Sequence, residues 1–87
     1  MNELTNLREQ IDALDAQITR LLCERLNTVK IVSEYKKSHG FEILQESREA
    51  EVLEKIAENI NNPEYQEYIL EIYAAILKTS KDFQEKT

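Results

Sequence analysis

The stretch LTNLREQIDALDAQITRLLCERLNTVKIVSEYKKSHG, residues 4–40, decides the fold. In it Leu4, Leu7, Ile11, Leu14, Ile18 and Leu21 recur at alternating steps of three and four, the spacing that aligns side chains on one stripe of an α-helix. The stripe continues through Val29, Val32 and Tyr35 to Gly40, the sole glycine and the residue type suited to the left-handed position just past a helix end. The spacing predicts one helix from near residue 3 to near residue 38. Such a helix is roughly 50 Å long at its usual rise, whereas a compact chain of this size has a radius of gyration of about 12 Å. One chain cannot wrap such a rod. A symmetric dimer, with two long helices packed seam to seam, is the simplest way to bury the stripe.

Beyond the short connection FEILQE, the segment SREAEVLEKIAENI sets Val52, Leu53, Ile56 and Ile60 on one face of a second, shorter helix. Asn61, Asn62 and Pro63 then stop it and start the next, with Asn62 as a cap and Pro63 in the first turn, where its missing N–H costs nothing. A third helix of medium length runs on to the C-terminal end, with Tyr65, Ile69, Ile72, Tyr73, Ile76 and Leu77 expected inward. The composition agrees: 87 residues with 41% hydrophobic and 32% charged side chains, one Gly and one Pro, suit helices better than strands and their turns. The expected fold is all-α, three helices in a single domain over residues 1–87.

Seventeen acidic residues against 11 basic ones give a net charge of -6, which argues against nucleic acid or an anionic membrane surface as a partner. Any bound anion must be held locally. Cys23 is alone, so no internal disulfide or metal-ligand spacing exists, and a reducing compartment is expected. No apolar run approaches a membrane span, and MNELTNLREQ lacks a signal-peptide core, so the expected location is the cytoplasm.

Against this background several polar residues stand on apolar faces. Arg25 occupies the seam position after Leu21, and Val29, Val32 and Lys36 follow it at steps of four, three and four. Arg25 and Lys36 therefore project from one side of the helix with two valines between them, a pocket with cationic ends. On the third helix the stripe of Ile69, Tyr73 and Ile76 is continued by Ser80 and Gln84, an i, i+4 pair of uncharged hydrogen-bonding groups. Arg48 and Glu49 open the second helix, and Arg8 adjoins the seam residue Leu7. Each alone reads as a solvated surface group, since single arginines on charged helices usually are. His39, beside Gly40, reads as a helix-end residue, and the tyrosines of the third helix read as packing.

Taken in order, the series NLREQID, LLCERL, SEYKK, SREAEVL and TSKDFQ resembles the all-α chorismate mutases of the branch leading to phenylalanine and tyrosine, over nearly the whole chain. The resemblance implies an intertwined homodimer of three-helix protomers that binds chorismate, with Arg8 reaching each site from the long helix of the other protomer. It implies that Arg8 and Arg25 hold the two carboxylates with help from Lys36, Arg48 and Ser80. Lys36 and Gln84 would donate to the ether oxygen, and Glu49 would accept from the ring hydroxyl. Gln45, at the entry to the second helix, stands where the family often has aspartate; a backbone contact to the hydroxyl would survive that change, and Ser47 is an alternative cap.

The chemistry so implied needs no cofactor and no metal, because the rearrangement of chorismate to prephenate is unimolecular. It needs a flexible dianion held in its compact conformer, for which arginines are suited clamps, and donors aimed at the ether oxygen as its bond breaks. Two rival readings share the pattern. An isochorismate pyruvate lyase resembles the same fold and binds a related dianion, and a non-catalytic helical dimerisation module would keep the seam without the inward cations.

Overall fold

The computed structural model describes residues 2–42 and 46–86, apart from the side chain of Glu46. Three α-helices follow one another: α1 (Glu3–Ser38), α2 (Glu46–Asn59) and α3 (Gln66–Lys86), with a 3₁₀ turn (Pro63–Tyr65) leading into α3. No described residue lies in a strand. Gln45 lies outside the described residues.

Local sequence explains both ends of α1. The Asn2 side chain accepts from the Thr5 N–H at 2.8 Å, satisfying one of the backbone donors that the first turn leaves without a partner. At the other end Gly40 takes φ 74°, and the Phe41 N–H reaches back to the Lys36 carbonyl at 2.8 Å. This is the six-to-one closure of a Schellman motif, with Gly40 in the left-handed position that a Cβ would strain. Its apolar clasp is present, since the Tyr35 ring stacks on Phe41 at 6.2 Å and on the His39 imidazole at 4.0 Å. His39 is the helix-end residue the sequence suggests, with its N–H bonded to the Tyr35 carbonyl.

Asn62 caps as expected, accepting from the Glu64 N–H at 3.0 Å, but the turn it opens is 3₁₀ and α3 begins only at Gln66. Ser47 is the second residue of α2 rather than its cap.

α3 is the central element, and α1 and α2 each pack against it. Val52 and Leu77 are the buried apolar side chains of the protomer, with Leu53, Ile56, Ile69, Tyr73 and Phe83 half-buried around them. Two expectations change here. Tyr65 and Ile72, read as inward, are 52% and 60% exposed in the protomer. On α1 the face turned to α3 runs Arg25, Val29, Ser33 and Lys36; Ser33 is 1% exposed, whereas Val32 is open to solvent.

The protomer is elongated. Its extents are 57 × 25 × 16 Å and its radius of gyration is 16.4 Å, well above the ~12 Å of a compact chain this long. Its accessible surface is 7217 Å², against about 5,300 Å² for a folded monomer of this mass. The seam accounts for much of the surplus, because Leu4, Leu7, Ile11, Leu14, Ile18 and Leu21 are between 44% and 57% exposed. No described helix is long and apolar enough to cross a membrane.

Candidate functional site

Two polar pairs join α1 to α3 across the expected site. Arg25 Nη1 donates to Ser80 Oγ at 2.6 Å, and Lys36 Nζ donates to Gln84 Oε1 at 3.4 Å. The anchor points explain the geometry. Eleven residues separate Arg25 from Lys36, roughly 16 Å along α1, while Ser80 and Gln84 sit about 6 Å apart on α3. The two long cationic side chains therefore lean toward each other over one short polar patch, which draws two positive charges toward a common space.

Both partners of Arg25 are neutral. Among the described residues no carboxylate lies within 4.0 Å of Arg25, whose contacts are the Ser80 hydroxyl and the Tyr73 ring, 5.9 Å from the guanidinium carbon. A half-buried guanidinium supported only by neutral groups retains its full charge for an incoming anion, whereas a buried ion pair would have quenched it. Ser80 Oγ also donates to the Ile76 carbonyl at 2.9 Å, so it meets Arg25 as an acceptor with its own proton engaged. In Gln84 the oxygen faces Lys36, which fixes the plane of the amide and sends its N–H donors to the opposite edge.

Beside the Arg25–Ser80 contact a cleft of about 350 Å³ opens between α1 and α3. Leu22, Leu26, Ile72 and Ile76 form its apolar walls, and Lys36 and Gln84 lie beyond it. Ile72, on the wall of this cleft, is also one of the exposed apolar side chains of α3, as is Tyr68.

Among the described residues, Arg8, Arg48 and Glu49 are not joined to these pairs within the chain. Arg48 turns to Glu51 on its own helix at 3.4 Å, an exposed pair, and Glu49 is exposed beside it. Arg8 is exposed near the start of α1. It stands 17 residues before Arg25 on one unbroken helix, so about 25 Å of rigid rod separates the two within the chain. Sequence reasoning missed two residues. Ser33 is the most buried side chain of α1, and Tyr73, read as packing, lies against Arg25. The spacing held a signal for the second, because Tyr73 precedes Ser80 by seven residues, two turns along the same face.

Comparison with known proteins bears on the chain as a whole. The family described as chorismate mutase type II matches residues 7–85. The chain is 35% identical, over 91 aligned positions, to the bifunctional chorismate mutase/prephenate dehydratase of Aquifex aeolicus, covering 99% of this chain and 25% of that protein. Over 56 residues it is 38% identical to the intracellular chorismate mutase of Mycobacterium tuberculosis, covering 64% of this chain and 53% of the relative. It therefore spans about a quarter and about half of the lengths of these two relatives. The solved structure of chorismate mutase (form II) from Thermus thermophilus superposes with a TM-score of 0.92 at 27% identity, over 99% of this chain and 98% of that one.

Proposed function

The chain belongs to the chorismate mutase type II family, and we propose that it is an isomerase converting chorismate to prephenate in the cytoplasm, on the route to phenylalanine and tyrosine. The observation that carries the reading is the pair of inward cations, Arg25 on Ser80 and Lys36 on Gln84, leaning over one patch of α3.

In the reaction the ether C–O bond breaks as a C–C bond forms between the two ends of the same molecule. Arg25, with Arg8 from a second chain, holds the two carboxylates so that the ends stay in contact, and Arg48 and Ser80 support that end of the site. Orientation of this kind acts on the entropic part of the barrier. Lys36 and Gln84 donate to the ether oxygen, where negative charge grows, and so stabilise the transition state more than the ground state. Glu49 accepts from the ring hydroxyl, which the backbone near Gln45 also meets. A millionfold acceleration corresponds to about 8 kcal/mol, within reach of orientation plus two directed donors.

The working unit in this reading is an intertwined homodimer. The half-exposed seam of α1 needs a cover, and covering one such side chain contributes about 1 kcal/mol. If two copies of the stripe from Leu4 to Val32 overlap fully and antiparallel, Arg8 falls opposite roughly position 28, between Arg25 and Lys36. A parallel pairing would set Arg8 against its own copy and leave each site without it.

Loss of chorismate absorbance on adding the purified protein, with prephenate identified as product, tests the proposal. Arg25→Ala is expected to lower the rate about a hundredfold. A well-folded protein that leaves chorismate intact but releases pyruvate from isochorismate would replace this reading with the lyase. Gln84→Glu is expected to move the pH optimum toward acid, because a carboxylic acid donates to the ether oxygen only while protonated, whereas the amide donates throughout. Rate profiles of both proteins from about pH 4 to 9 check this; superimposable profiles would remove Gln84 from the ether oxygen.

A further inference from the structure

We propose that Tyr73 is a positioning residue that, with Ser80, aims the Arg25 guanidinium from α3; the proposal rests on the mutase reading for its consequence in catalysis.

Three contacts support it. Arg25 Nη1 donates to Ser80 Oγ at 2.6 Å, the Ser80 proton goes to the Ile76 carbonyl at 2.9 Å, and the Tyr73 ring lies under the guanidinium carbon at 5.9 Å. A carboxylate only accepts, and the Ser80 proton is already engaged, so α3 serves a carboxylate here through the guanidinium it holds rather than through the hydroxyl itself. One hydrogen bond to Nη1 still lets the guanidinium swing about that contact. A ring against its carbon supplies the second point that fixes its plane, and aromatic faces suit the flat, weakly hydrated guanidinium.

Tyr73 and Ser80 can act together because they share a face of α3 two turns apart, with Ile76 and Leu77 between them. Tyr73 is half-buried, which limits screening of the contact by water. Neither support carries a charge, so the guanidinium is aimed without being neutralised. A carboxylate in place of the ring would hold Arg25 as firmly and remove the charge the substrate needs.

The test combines kinetics with a signal from the ligand-free protein. Tyr73→Leu is expected to lower kcat/KM for chorismate about fivefold, and Tyr73→Phe, which keeps the ring, to stay within about twofold. Relaxation of the Arg25 Nε–H group by NMR is expected to show an ordered side chain in the unsubstituted and Tyr73→Phe proteins and a mobile one in Tyr73→Leu. In an Arg25→Ala background the Leu substitution should cost less than about twofold, because the group it positions is gone. An equal loss in both backgrounds, or an Arg25 Nε–H equally ordered in Tyr73→Leu, would overturn the proposal, and so would a Tyr73→Phe protein as impaired as the Leu variant. A parent protein that fails to turn over chorismate overturns the mutase reading instead, and it does so before any variant is compared.

Discussion

Replacing Lys36 by leucine is expected to lower both kcat and kcat/KM for chorismate about a thousandfold, while the protein stays folded. The expectation joins two properties of one side chain. Lys36 is half-buried on the α3-facing side of the last full turn of α1, a position where the shorter leucine keeps an apolar side chain but brings no charge. Removing a half-buried cation whose charge serves only the fold costs stability, because the groups it met lose a partner. If the charge instead meets oxygen in the transition state, its loss appears in kcat rather than in stability, since a contact strongest at the transition state lowers kcat and kcat/KM together. Steady-state kinetics and a thermal melt on the same sample separate the cases. A stable variant with undiminished turnover would remove Lys36 from the ether oxygen and leave the α1–α3 contact as a structural device.

The course of α1 was legible because its signals agree: the three-four stripe and Gly40 after the last turn fall where the helix is observed, and the Asn2 cap at its start was the signal left unused. Arg25, Lys36, Ser80 and Gln84 were legible as polar interruptions of apolar faces, and the fold joins them in pairs. What was not legible has two physical causes. A seam repeating every 3.5 residues drifts about 20° per heptad around a helix of 3.6 residues per turn. By the second half of α1 the face toward α3 therefore steps 25, 29, 33, 36, and Ser33 takes the place the seam assigns to Val32. The second cause is that an apolar stripe records the need for a cover and not its source. Ile72 and Tyr65 read like Leu77, yet Leu77 is covered by its own chain and the other two are open in the protomer. Tyr73 does pack, half-buried on its helix face, and what the sequence did not show is the cation beside it, Arg25, 5.9 Å from its ring.

Mixing two inactive variants is expected to restore activity, and the amount reveals where Arg8 acts. Arg8→Ala and Lys36→Leu each disable every site of their own dimers, if each site takes Lys36 from one chain and Arg8 from the other. In a mixed dimer, the site built on the Arg8→Ala chain has its own Lys36 and receives an intact Arg8 from the Lys36→Leu chain. The opposite site carries both defects. Random exchange makes half of the dimers mixed, each with one sound site in two, so the pool should regain about a quarter of the unsubstituted activity. From a residual level near a thousandth, that is a rise of about 250-fold on incubating the two proteins together. The prediction follows from the rigidity of α1, which keeps Arg8 about 25 Å from Arg25 in the same chain, beyond the reach of any side chain. An Arg8 acting within its own chain would leave every site of a mixed dimer with one defect, and the mixture would stay inactive however completely subunits exchange. Mass spectrometry of the mixture, with one variant isotopically labelled, verifies the exchange, so an inactive pool of mixed dimers would refute the crossed site and a silent pool of unmixed ones would be recognised as such.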